Sequence, residues 1–224
     1  MTEMDIYLQP SELCDFDRDN GFGRRTAGLV TNVVDEAHQV EAVFAFVKEL
    51  PYGLEDWDVK ALETLRRGWG MCCGKTNLLV AMLRTLRIPA RYKVFRIRAE
   101  SKLLRWMAEQ DNGLGMQMTD IPAEQDHLEC EALVAGVWRR FDPSRDSALE
   151  RGLQKMGIPL DRIPVVDAHG AAHCLRLASI DRWASDRQAA RRFREGRAAM
   201  FARANEQLDR IRRMGKGEYG TQAG

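Results

Sequence analysis

Apolar residues recur at helical spacing through TAGLVTNVVDEAHQVEAVFAFVKELPYG, at Val33, Ala37, Val40, Val43, Phe44 and Val47. That spacing predicts an amphipathic helix ended by Pro51 and Gly53. DVKALETLRRG predicts a shorter helix, with Asp58 near its start and Gly68 past its end. GMCCGKTNLLVAMLRTLRIPAR predicts a third helix over about 72–87, and IPARYKVFRIR an extended strand. Within 99–126, the polar and glycine-containing EQDNGLGMQMTDIPAEQD predicts a loop or lid. HLECEALVAGVWRRFDP reads as a hairpin, two extended runs around Ala135-Gly136 closed by Pro143. A turn-rich section follows, then a short CLRLAS strand and a long helix from about 180 to 214.

Two geometric consequences bear on chemistry. With about 100° per residue, Cys72 stands at the N-terminal end of the stripe carrying Thr76, Leu79, Leu83 and Leu86. Cys73 is rotated toward Asn77, Val80 and Arg84. If the hairpin loop holds two or four residues centred on Ala135-Gly136, residue 129 faces 142 and 127 faces 144. His127, Glu129, Glu131, Leu133, Trp138, Arg140 and Asp142 then share one face, with Asp142 the diagonal neighbour of His127. A three-residue loop would put His127 and Asp142 on opposite faces.

Composition adds limits rather than direction. At 224 residues, 45% hydrophobic and 30% charged, the chain is of ordinary globular type and long enough for a sizeable core. A formal net charge of +1 points to no particular partner. The N-terminus shows no basic segment followed by an apolar run, and no stretch reaches membrane-span length. The five cysteines, 14, 72, 73, 130 and 174, follow no framework spacing, so free thiols and a cytoplasmic location are expected.

GMCCGKT admits three chemistries. As a phosphate loop it fails on register, because the first glycine should fall at position 69, which is Trp69. As a metal site it fails on direction, since adjacent cysteines on a helix diverge. HGAAHC supplies His169 and His173 but no second ligand pair, so no metal and no cofactor are expected. As a nucleophile it gains: a thiol in the first helical turn meets the positive end of the helix dipole and unpaired N–H groups, which favour the thiolate. Gly70 would leave room for a substrate chain to approach the sulfur. Against this stands the ordinary reading of a buried, inert cysteine. A nucleophilic cysteine also wants an imidazole and a third group to orient it, and His127 with Asp142 is the available pair.

A glycine-x-cysteine opening a helix, LLVAMLRTLRIPAR closing it, then a histidine and, fifteen residues on, an aspartate after G-x-W, resembles the transglutaminase-like superfamily of papain-like cysteine enzymes. The likeness spans about 40–145, including FVKELPYG upstream. By position, the family's nucleophile matches Cys72, its base His127 and its orienting acid Asp142. Two positions depart: Glu129 stands where the family often has an aromatic, and Arg87 where it usually has glycine. Glu129 would raise the pKa of the base or bind a cationic substrate group.

The resemblance implies an α+β fold, with the cysteine helix packed on an antiparallel sheet and a long C-terminal helix added. The corresponding organisation is an irregular lead-in over 1–25, a catalytic domain over 26–178, a helix over 179–214 packed on or extending it, and a flexible tail over 215–224. It implies acyl transfer on amide bonds of peptides or protein side chains, hydrolysis being favoured over transamidation. The oxyanion would be held by the Cys72 backbone N–H with Trp69 or Tyr52, and Cys73 and Cys130 would be structural. The implied partner is a peptide or protein substrate, not a membrane or a nucleic acid. A competing class is a non-catalytic binding or scaffold module on the same fold. Its support is the C-terminal stretch from Arg182 to Met214, with ten arginines against four acids, which could meet an acidic partner or a second copy of the chain.

Overall fold

A computed structural model describes residues 4–18, 21–111, 114, 122–191 and 197–218. A 3₁₀ turn, Asp5–Leu8, is followed by α1 (Gly21–Leu29) and α2 (Glu36–Glu49). The single helix predicted before Pro51 is therefore two. Asp35 ends the connection by capping α2, its carboxylate accepting from the His38 N–H at 3.0 Å. Val33 falls in the connection, and α1 starts inside the stretch read as irregular lead-in. The short helix α3 (Ala61–Arg67) stops where Gly68 turns left-handed, its N–H reaching the Thr64 carbonyl.

The cysteine helix α4 (Cys72–Thr85) is buried at every position from Cys72 to Arg84. Its weak amphipathicity has a reason: α2, α3 and the sheet all pack on it. Its two charged members are paired inside. The Lys75 ammonium donates to the carbonyls of Lys48 (3.0 Å), Leu50 (2.6 Å) and Ser144 (3.0 Å). The Arg84 guanidinium donates to the carbonyls of Ala90 and Ala178.

The sheet holds β1 (Ala90–Arg98), β2 (Glu124–Val134), β3 (Val137–Phe141) and β4 (Cys174–Leu177) in the order β3-β2-β1-β4, all pairs antiparallel. Ala135 (φ 50°) and Gly136 (φ 79°) form a two-residue turn, which pairs Val134 with Val137 and Cys130 with Phe141. Because side chains alternate, one face carries Ala90, Tyr92, Val94, Leu128, Cys130 and Ala132 into the core beneath α4. The other carries a charged ladder, Arg91 on Glu131 (2.8 Å), Lys93 on Glu129 (3.4 Å) and Arg140 on Glu129 (2.8 Å), which continues to Phe95 and His127.

A second apolar cluster joins three helices: α5 (Ser101–Gln110), α6 (Ser147–Lys155) and α8 (Arg197–Lys216). Neither α5 nor α6 is expected from the sequence pattern; of the predicted loop over 109–126, residues 112–113 and 115–121 lie outside the described residues. The long C-terminal helix is described as α7 (Asp181–Arg191) and α8, with 192–196 outside the described residues. The end of the predicted flexible tail, 219–224, lies outside them as well.

α6 and α8 meet backbone to backbone. A Cβ on Gly152 would overlap the Ile211 carbonyl, and one on Gly215 the Ala148 carbonyl. Arg212 of α8 then pins the loop before α3, donating to Asp146 at 3.0 Å and to the Tyr52 carbonyl at 2.7 Å. Among the described residues, no helix is long and apolar enough to cross a membrane.

Candidate active site

Cys72 is the first residue of α4, and its preceding Met71 is extended rather than helical. The helix start is held by Glu55, whose buried carboxylate accepts the Met71 N–H at 2.8 Å and pairs with Arg67. Burial pushes the Glu55 carboxyl up to about 7, against the pull of the Met71 N–H and of Arg67. The Cys72 side chain is nearly enclosed, 5% exposed. It opens onto a cavity of about 320 Å³ that His127 also lines.

His127 and Asp142 reach each other across the hairpin as its register requires. His127 lies on β2, Asp142 one residue past β3, and His127 Nε2 is 3.0 Å from Asp142 Oδ2. Phe95, directly opposite on β1, meets the imidazole edge-on with ring centres 5.4 Å apart, which fixes its tilt. The other Asp142 oxygen accepts from the Ser144 N–H at 3.0 Å and from the Ser144 hydroxyl. Burial opposes ionisation of Asp142, but His127, Arg162 and Ser144 hold its carboxyl well below the usual carboxylate range. With that carboxylate ionised, Nε2 carries the proton and donates, so Nδ1 is the nitrogen left for a second partner. Burial pushes the imidazole below its usual pKa and Arg162 adds to the shift; Asp142 and Glu129 pull upward and are outweighed.

Arg162 is the residue the sequence pattern did not single out. Its Nε donates to Asp142 Oδ2 at 2.9 Å, the same oxygen that accepts from His127, and it lines the cavity beside Cys72. It lies in a turn-rich segment without periodicity, so only its spatial neighbours reveal it.

Tyr52 lines the cavity as well, and its backbone pairs with Gly70. Trp69 does not line it: the indole packs on Gly53 and stacks under the Arg67 guanidinium, 4.3 Å from the ring centre. Gly70 is also turned inward, since a Cβ there would meet Thr64, Glu55 and Lys75, so its missing side chain makes room for protein rather than for substrate. Glu129 is buried and taken up by Arg140 and Lys93. Cys73 points away, its sulfur 2.8 Å from the Trp57 carbonyl oxygen, and Cys130 is wholly buried. His169 and His173 are exposed, the first within a turn closed by Asp167 and the second just past it. Ligand atoms of His127, Glu129 and Asp142 lie within 4.8 Å of one another. Arg140, Arg162 and Lys93 already occupy their carboxylate oxygens, an environment that repels a further cation.

The family model of the transglutaminase-like superfamily matches residues 24–143, more than half of the 224. The chain belongs to the transglutaminase-like superfamily. Its helix-on-antiparallel-sheet architecture is the α+β fold expected of that superfamily. Comparison with curated proteins finds no match. A candidate cysteine protease of Cytophaga hutchinsonii is similar at 21% identity and a TM-score of 0.48, over 79% of this chain and 52% of that one. A candidate protease of Parabacteroides distasonis is similar at 12% identity and a TM-score of 0.39, over 61% of this chain and 25% of that one. The chain thus spans about half the length of the first structure and a quarter of the second. The superfamily match stops one residue past Asp142, so Arg162, α6, α7 and α8 all lie beyond it.

Proposed function

We propose that this transglutaminase-like chain is a cysteine-dependent enzyme that cleaves amide bonds of peptides or of protein side chains. The observation that supports this best is the His127–Asp142 hydrogen bond at 3.0 Å, with His127 and Cys72 lining one cavity. Asp142 holds the imidazole in the tautomer with its proton on Nε2, leaving Nδ1 to take the Cys72 thiol proton. The sulfur, at the N-terminus of α4, attacks the substrate carbonyl carbon. The resulting oxyanion is met by the Cys72 backbone N–H, with Tyr52 lining the same space. Protonated Nδ1 then delivers its proton to the departing amine, leaving a thioester on Cys72. Water, deprotonated by Nδ1, adds to that thioester; the acid leaves and the thiol is restored. Water needs no binding site of its own, whereas an acceptor amine must be held, so hydrolysis is the assigned outcome over transamidation.

The basic C-terminal helices weigh less for a scaffold role, because several of their arginines find acids inside the chain. Arg187 pairs with Asp126 (2.6 Å), Arg197 with Asp56 (3.1 Å) and Arg212 with Asp146 (3.0 Å).

Substoichiometric iodoacetamide from pH 5 to 9, read cysteine by cysteine by peptide mass spectrometry, tests the reading. Cys72 is expected to alkylate ahead of Cys174 and to lose that advantage in His127→Ala. Equal reactivity in both proteins would remove the His127-activated nucleophile. A peptide amide library, with hydroxylamine added as a competing acceptor, then separates hydrolysis from transfer.

A further inference from the structure

The chain beyond the superfamily match sends Arg162, Arg187, Arg197, Met200 and Phe201 to the walls of the Cys72 cavity. Two of these arginines are committed elsewhere: Arg187 to Asp126 and Arg197 to Asp56. Arg162 is different. It spends only Nε on Asp142, and among the described residues its two Nη groups donate no hydrogen bond. Its side chain is 17% exposed, opening onto the space shared by Cys72 and His127 and onto two adjoining clefts.

A guanidinium so far withdrawn from water is costly unless its charge is answered. Here it has one carboxylate, and that oxygen is shared with an imidazole. The acids at the cavity rim do not compete for it, since Asp126 pairs with Arg187 and Glu124 with Arg96 (3.1 Å). What remains is a planar pair of N–H donors in the cavity that the reacting sulfur also lines, a shape that fits the two oxygens of a carboxylate.

We propose that Arg162 is a substrate-binding residue whose Nη groups hold a substrate carboxylate beside the scissile amide, so that the preferred substrates are peptides with an acidic group at that point. This rests on the cysteine-enzyme reading above. The carboxylate is either the terminal one or that of an acidic side chain.

Iodoacetate and iodoacetamide are nearly isosteric and differ in charge, so their relative rates at Cys72 read recognition of a carboxylate there. The ratio of iodoacetate to iodoacetamide rates is expected to fall about tenfold in Arg162→Met, one lost charged contact being worth roughly that factor. Arg162→Lys, which keeps the charge but not the fork, is expected to lie between. Attraction to a protonated His127 is common to all three proteins, and loss of Arg162 would strengthen it, against the expected fall.

If both rates drop together and the ratio stays constant in both variants, Arg162 only positions Asp142, and the proposal is overturned. If wild-type Cys72 reacts with neither probe ahead of Cys174, it is the nucleophile itself that fails, a separate result. N-iodoacetylglycine and N-iodoacetyl-glutamic acid α-amide then distinguish the source: an Arg162-dependent preference for the first assigns a terminal carboxylate, for the second a side-chain one.

Discussion

Arg87 is exposed and sits at φ 62°, just past the end of α4, with its N–H on the Arg84 carbonyl and the Ile88 N–H on that of Leu83. A side chain in the left-handed region costs about 1–2 kcal/mol, which glycine avoids, at the cost of a more flexible unfolded chain. Arg87→Gly is therefore expected to stabilise the protein by about 0.5–1 kcal/mol, raising Tm by roughly 1–4 °C; thermal unfolding followed by circular dichroism checks it. The position shows how a single residue is legible in sequence: the departure from the family's glycine is visible there, while its left-handed backbone is visible only in the structure. The His127–Asp142 contact was legible for a different reason. The alternation on either side of Ala135-Gly136 left only the loop length open, and a two-residue turn at positive φ settles the register. Arg162 had no such signal, because its meaning comes from a contact with a residue twenty positions away. Trp69 and Gly70, three and two positions before Cys72, serve the interior instead, since the extended chain before α4 turns them toward Gly53 and Thr64.

At the scale of elements, α4 is seated by a buried ammonium. Lys75 ties the carbonyl end of α2 to the Ser144 loop that carries Asp142, so one side chain sets the distance between three segments of the site. The letters Gly-Lys-Thr that mimic a phosphate loop are explained by this internal role. Burial brings the Lys75 ammonium down to about 7, Lys48 and Arg212 adding to the shift and Asp146 and Asp142 opposing it. The sign follows: from about pH 7 to the unfolded value of 10.5, the unfolded chain holds a proton that the folded one lacks, so Lys75 makes stability rise with pH across that window. Urea midpoints at pH 7 and 9.5 should show this rise in wild type and a smaller one in Lys75→Met. The variant should also be less stable by about 1–3 kcal/mol, three buried carbonyls having lost a donor. The helices that periodicity missed share a cause. α6 is interrupted in pattern by Gly152 and α5 runs straight into a polar stretch, yet both bury apolar residues against α8, a partner distant in sequence. The break between α1 and α2 was signalled by the capping aspartate at 35, whose effect outweighed a continuous apolar spacing.

At the scale of the whole molecule, the second apolar cluster closes at the α6–α8 seam, where glycines let the backbones touch, and Tyr52 and Leu54 pack against both clusters. Gly152→Ala pushes a methyl group into the Ile211 carbonyl and should cost about 1–3 kcal/mol. Because α8 also brings Met200, Phe201 and Arg212 to the site, the same variant should alter Cys72 alkylation as well as the unfolding midpoint. Comparing the two readouts on one sample checks the coupling; a change in stability with no change at Cys72 would show the clusters to be independent. The bridge made by Arg212 has a consequence for how the protein is born. Arg212 is separated from its Tyr52 partner by 160 positions, so translation reaches it last among the groups that close the cleft. At about 5–20 residues per second, the ribosome leaves that carbonyl waiting for roughly 7–28 seconds after the Cys72 segment has been made. The nascent polypeptide therefore carries the Cys72 sulfur, the His127 imidazole and the Asp142 carboxylate before it carries the clasp that fixes them. A message cut short ahead of α8 would yield all three without the lock.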